Sequence, residues 1–162
     1  MNKVQVYQFL QQKNIEHEIT EHKAVFTMGE LFDVEVPYPE CDAKNLFVRD
    51  DKHRKYYLIT VKGDKRVNLK EFRNTYGTRP LTFASVEELS AIMDLIPGSV
   101  SPFGLFNDEN RVVDFYIDED FFASPGKIGI HPNENTATVW LNSNDLVSLI
   151  NEHGNSITKI KL

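Results

Sequence analysis

The sequence predicts an α+β fold: one mixed, mostly antiparallel β-sheet flanked by helices. Three observations lead there. Helical and strand-like stretches follow one another without the regular βαβ alternation of a doubly wound parallel sheet. Two strand-like runs, NLFVRD and KYYLITVK, flank a turn-like segment from Asp50 to Lys55, which reads as a hairpin. Three further stretches carry helix start and stop residues at the right offsets.

The elements follow in chain order. Val4, Tyr7, Phe9, Leu10 and Ile15 are spaced for one face of a first helix. HEITEHKAVFT then reads as a strand and a loop. Residues 29–33 suit a short helix, ended by the turn-forming Pro37 and Pro39. After the hairpin, NLKEFRNTYG is a helix with Asn68 as N-cap and Gly77 as its stop. SVEELSAIMDLIPG is another, where Ser85 and Glu88 form a capping box and Pro97-Gly98 ends the helix. Strands are expected in GLFN, VVDFYID, KIGIH and TATVWL. SNDLVSLINEHG is a last helix, capped by Ser143 or Asn144 and closed by Gly154, and SITKIKL a last strand.

Composition bounds the function. A chain of 162 residues with 41% hydrophobic and 26% charged residues suits one soluble domain, residues 1–162, and no repeat or linker divides it. No apolar run approaches the roughly 20 residues that span a bilayer. The N-terminus lacks the apolar core of a signal peptide, so no membrane partner and a cytoplasmic location are expected. The single cysteine, Cys41, excludes an internal disulfide and a cysteine-based zinc site. The net charge is −6, yet Lys44 to Arg79 holds 11 basic and 4 acidic residues. That basic middle fits either a phosphate-bearing partner or an unevenly charged, solvated surface.

Several chemistries find no support. HEITEH places His17 and His22 five apart, whereas a helical zinc pair needs four. No Walker loop, Gly-x-Gly-x-x-Gly or Gly-x-Ser-x-Gly elbow is present. No metal or cofactor site is expected.

Three stretches could carry a site, and each has a plain alternative. Lys44, with Asn45 beside it, stands before the apolar run Leu46-Phe47-Val48. Its ammonium either grips a ligand oxygen or snorkels to water from the edge of the core. PGSVSPFG, Pro97 to Gly104, either turns main-chain groups toward a ligand or simply connects two elements. His131 in GIHPNENTATVWL either sits in a site or lies on the surface beside a hairpin.

Taken together, Lys44-Asn45-Leu46-Phe47, Gly98-Ser99-Val100-Ser101-Pro102 and HPN-x-N-x-ATVW resemble the YbaK/ProX family of aminoacyl-tRNA deacylases, relatives of the editing domain of bacterial prolyl-tRNA synthetases. The last motif and EHKAVFT, Glu21 to Thr27, resemble its alanine-specific branch. The resemblance runs from about Tyr7 to Leu162. It implies the editing-domain fold and metal-independent hydrolysis of mischarged Ala-tRNA(Pro). The acceptor end of tRNA(Pro) carrying a small amino acid is then the partner, with prolyl-tRNA synthetase as a second one. Lys44 would orient the 3′ end. Asn45 and the loop Gly98, Ser99, Val100, Ser101 and Pro102 would bind substrate. His131 would lie near the aminoacyl group, and Phe26, Thr27 and Met28 would form a pocket wall. Such a pocket selects by size, because a synthetase site built for proline rejects a smaller side chain by only about 1–3 kcal/mol per methylene. Cys-tRNA(Pro), another small aminoacyl-tRNA, and a non-catalytic module binding aminoacyl-tRNA or synthetase are the alternatives.

Overall fold

The structure, a computed structural model, describes residues 1–24 and 36–162. Its helices are α1 (Lys3–Gln12), α2 (Leu69–Tyr76), α3 (Val86–Met93) and α4 (Ser143–His153). Its strands are β1 (His17–Glu21), β2 (Ala43–Asp50), β3 (Tyr56–Lys62), β4 (Leu81–Phe83), β5 (Val113–Asp118), β6 (Lys127–Ile130), β7 (Ala137–Asn142) and β8 (Ile157–Ile160). Short 3-10 turns cover Pro39–Cys41, Pro102–Asn107 and Glu119–Phe122.

The strands form two sheets rather than the single sheet expected. One is antiparallel, in the order β1-β7-β6; the other runs β4-β2-β3-β5-β8. In the second, β4-β2 and β2-β3 pair antiparallel while β3-β5 and β5-β8 pair parallel. A bridge between Asp42 and Gly129 joins the sheets at the mouth of β2. The division has a packing cause. Phe47, Leu58 and Phe115 of the larger sheet meet Val139, Leu141 and Ile130 of the smaller one in a common core, with Val6, Leu10, Leu146 and Ile150 closing its ends. The larger sheet is covered on its other face too, where Val48, Ile59 and Val61 pack against Phe72 of α2. A strand apolar on both faces, as YYLITVK is, belongs at the centre of such a sheet.

Local signals explain most boundaries. Asn2 and Gln5 form a capping box on α1, whose buried residues are Val6 and Leu10; Val4, expected inward, is 60% exposed. Asn68 caps α2, and Gly77 ends it at φ 70°. The Asp50 carboxylate accepts from the N–H of Lys52 and Arg54 at 3.1 and 2.9 Å, which closes the β2–β3 hairpin.

Four boundaries differ from expectation. α3 stops at Met93, because Asp94 takes a left-handed C-cap and turns Leu95 into the core. GLFN is not a strand but part of the 3-10 turn: Ser101 caps it by accepting from the Phe103 N–H, and Pro102 starts it. Asn142, not Ser143 or Asn144, caps α4 through bonds from the N–H of Asn144 and Asp145. The edge strand β4 has only three residues, too few to show a period. The helix expected at 29–33 lies outside the described residues.

Candidate active site

Lys44 and Asn45 are successive residues of β2, so their side chains leave opposite faces of the sheet. Asn45 shares its face with Phe47. Its Oδ1 accepts from the Thr60 hydroxyl at 2.6 Å, across the hairpin register that pairs the two residues. Thr60 is fully buried, so this bond fixes the amide and points its Nδ2 hydrogens away from Thr60. Asn45 then lines a cavity of about 240 Å³ together with Phe47, Ala84, Leu89, Gly98 and Val100.

The loop Gly98–Pro102 forms the other wall. Gly98 has φ 91°, a conformation open to glycine and strained for other residues. Ser99 and Ser101 are buried, whereas Gly98 is exposed and Val100 half-buried on the cavity side. The N–H groups of Gly98 and Val100 make no main-chain hydrogen bond to a described residue. Pro102 is buried at the start of the 3-10 turn. Among the described residues, Asn45, Gly98 and Val100 thus line one small, largely apolar space.

Ser101 ties this loop to His131, donating from Oγ to the His131 carbonyl at 2.5 Å. The His131 ring stands 3.0 Å from the Ala137 carbonyl through Nδ1. A carbonyl only accepts, so Nδ1 carries the hydrogen and Nε2 presents a lone pair. Burial lowers the imidazole pKa; the Ala137 carbonyl opposes this, and His22 adds to it. His131 is thus held neutral near neutral pH. His22, set aside in the sequence as half of a false zinc motif, packs edge-on to His131 with ring centroids 6.2 Å apart. Its Nδ1 bonds to the Lys23 carbonyl and its Nε2 lies 3.0 Å from the Thr138 hydroxyl. No local pattern reveals this neighbour, because the pairing of Thr20 with Thr138 in β1–β7 brings it there.

Lys44 lies on the far side of β2. Its register partner is Val61, and its ammonium donates to the Lys65 carbonyl in the turn after β3. Lys44 and the Asn45 cavity therefore flank the mouth of β2 from opposite faces. Asp42 stands at that mouth, where burial lifts its carboxyl to about 6 against an opposing bond from the Ala43 N–H. Cys41 is fully buried and its thiol pushed up by burial, which suits a packing role. Phe26, Thr27 and Met28 lie outside the described residues. Among the described residues, no group of three or more His, Cys, Asp or Glu is gathered as for a metal, and no helix is long and apolar enough to cross a membrane.

The basic middle of the sequence is not one patch. Lys52 and Arg54 sit in the hairpin turn, while Lys65 and Arg66 follow the other end of β3, about 20 Å away for a seven-residue strand. Much of the charge is also internally paired: Arg49 with Glu88, Lys55 with Asp114, Arg79 with Asp51, and Lys65 with Asp118 and Asp120.

Residues 22–149 match the model of the aminoacyl-tRNA editing domain. The chain is 34% identical over 153 residues to the prolyl-tRNA editing protein ProX of Acetoanaerobium sticklandii, covering 94% of this chain and 93% of that one. It is 30% identical over 143 residues to the prolyl-tRNA synthetase associated domain-containing protein 1 of Bos taurus, covering 86% and 83%. A solved structure of a candidate trans-editing enzyme for prolyl-tRNA synthetase superposes with a TM-score of 0.70 at 20% identity, covering 100% of this chain and 98% of that one, and so shares the fold.

Proposed function

This chain belongs to the aminoacyl-tRNA editing domain family, and from that premise we propose that it is a cytoplasmic deacylase that hydrolyses Ala-tRNA(Pro). The observation that carries the reading is the cavity that Asn45 shares with Gly98 and Val100 of the loop. The reaction needs little more than such a site. The aminoacyl ester is activated, and donors aimed at the developing oxyanion, with water placed nearby, supply much of the acceleration.

In this reading the terminal ribose straddles the mouth of β2. On the Asn45 face, the ester carbonyl meets Asn45 Nδ2 and the free N–H groups of the loop. Water attacks the carbonyl carbon, the tetrahedral oxyanion takes those hydrogen bonds, and the acyl C–O bond to the ribose breaks as the ribose oxygen takes up the proton that the water gives up. His131 Nε2 accepts from the α-ammonium of the amino acid, for which a neutral imidazole is the right partner. On the other face, Lys44 gives one N–H to the Lys65 carbonyl and keeps two for the phosphate of the terminal nucleotide. Buried Ser99, Ser101 and Pro102 hold the loop in shape. A small pocket admits alanine and excludes proline by size.

The test is ester loss from Ala-, Cys-, Ser- and Pro-tRNA(Pro), with Lys44→Ala alongside. Loss from Ala-tRNA(Pro) alone is expected. Faster loss from Cys- or Ser-tRNA(Pro) would reassign the substrate, and stability of every ester would leave a binding module.

A further inference from the structure

We propose that Asp118 is a positioning residue for Lys44, acting through the turn that carries the Lys65 carbonyl. The proposal rests on the role read for Lys44 above. Asp118 ends β5 and is fully buried. Its carboxylate accepts from the Lys62 N–H at 3.1 Å and the Asp120 N–H at 3.0 Å. It also takes the Lys65 ammonium, at 3.0 Å to one oxygen and 2.9 Å to the other. Lys65 reaches on to Asp120 at 2.6 Å. Burial lowers the Lys65 pKa, but its bonds to Asp120 and Asp118 outweigh that and hold it charged.

The consequence lies in what this clamp holds. Asp118 grips the turn at both ends, through the Lys62 main chain and the Lys65 side chain. The turn closes on itself from the Lys65 N–H to the Lys62 carbonyl at 3.0 Å. It is tied to the segment before β2 by Gly63 N–H to the Asp42 carbonyl at 2.9 Å and Lys62 Nζ to the Glu40 carbonyl at 2.8 Å. The Lys65 carbonyl, which receives the Lys44 ammonium, is therefore placed relative to the strand that carries Lys44. A lysine side chain has four rotatable bonds and would otherwise sample many positions. Packing alone does not require a charge here, since an apolar residue fills a buried position at lower cost.

A double-mutant cycle tests this. Single-turnover hydrolysis of Ala-tRNA(Pro) is measured for wild type, Asp118→Asn, Lys44→Met and the double variant. Asp118→Asn is expected to lower kcat/KM roughly tenfold, the loss of one charge-assisted contact, and to leave the Lys44→Met rate unchanged. An equal loss in both backgrounds would show a merely structural effect and overturn the proposal. Full activity in Lys44→Met would remove the role of Lys44 itself, and with it this proposal. Should Asp118→Asn not fold, Lys65→Met replaces it in the cycle, since it frees Asp118 but keeps the main-chain carbonyl. A readout that needs no activity is the ammonium resonance of Lys44 in lysine-labelled protein. Its exchange with water should quicken in Asp118→Asn, and an unchanged signal would refute the coupling even if the proposed substrate were wrong.

Discussion

The Thr60 hydroxyl donates to Asn45 Oδ1 across the β2–β3 hairpin, and so a fully buried threonine sets the orientation of an amide that faces a cavity. The two residues are register partners, which makes the contact a property of the sheet rather than of a mobile loop. Sites built on strands hold their geometry better than sites built on loops.

Thr60→Val should therefore cost activity out of proportion to stability. Valine fills the same volume, and losing the hydrogen bond costs about 1 kcal/mol of folding free energy. The freed amide can rotate away from the ester. Ala-tRNA(Pro) hydrolysis is expected to fall about tenfold for Thr60→Val and further for Asn45→Ala, as measured by single-turnover kinetics beside urea melts. Loss in Thr60→Val no larger than its unfolded fraction would count against the amide.

The neutral His131 gives a pH prediction with a definite sign. Its pKa is lowered in the folded state, chiefly by burial. The stabilising contribution is then complete above the ordinary value of 6.5 and is lost as pH falls from there through the folded pKa. Activity should follow: protonated His131 repels the α-ammonium it would otherwise bind. KM for Ala-tRNA(Pro) is expected to stay flat down to pH 6.5 and to rise below it, while His131→Asn removes that rise.

Gly129 is needed because Trp140 occupies the space of its side chain. A Cβ there would stand 2.2 Å from Trp140 Cζ3 and 2.4 Å from Cε3. Trp140 cannot yield easily, being buried and donating from Nε1 to the Thr20 hydroxyl at 3.0 Å. Gly129→Ala should destabilise by about 1–3 kcal/mol. Adding Trp140→Leu should recover less than full stability but make the Gly129→Ala step nearly neutral, as thermal melts of the four proteins would show.

The sequence made the local devices of this fold legible. Asn68, Ser85, Glu88, Gly77 and Gly154 are caps whose chemistry depends on residues within one turn, so each could be read where it stands. GLFN is a 3-10 turn and not a strand: a pair of large apolar residues, Leu105 and Phe106, fits either equally, and the choice lies with Ser101 and Pro102 just before it. The candidate site is legible only in part. Its loop and its lysine stood out as motifs, but the placing of Lys44 and Asn45 on opposite faces depends on the strand beginning at Ala43. The nearness of His22 to His131 depends on a pairing across more than a hundred residues. Charge misled most. Lys65 counts toward the basic middle from Lys44 to Arg79, yet its charge is taken by Asp118, from a strand that is distant in the chain.

A hydrogen-bond network centred on Glu88 holds α3 against the hairpin. Glu88 accepts from Tyr56 Oη at 2.6 Å, Arg49 Nε at 3.2 Å, His53 Nδ1 at 3.2 Å and the Ser85 N–H at 3.0 Å. Burial raises its pKa, yet the bonds from Tyr56, Ser85 and His53 outweigh it and bring the carboxyl to about 2, from an ordinary 4.5. A depressed carboxyl stabilises fully above its unfolded pKa, so the contribution is present above pH 4.5 and disappears as pH falls toward 2. It amounts to roughly 3 kcal/mol at most. Glu88→Gln should remove most of that acid-dependent loss, flattening the stability profile between pH 4.5 and 2 while lowering stability at pH 7. Because Ser85 and Leu89 also line the Asn45 cavity, the same variant should loosen its wall and raise KM for Ala-tRNA(Pro) several-fold. A steep acid transition retained in Glu88→Gln would place the titrating group elsewhere, and an unchanged KM would detach α3 from the site.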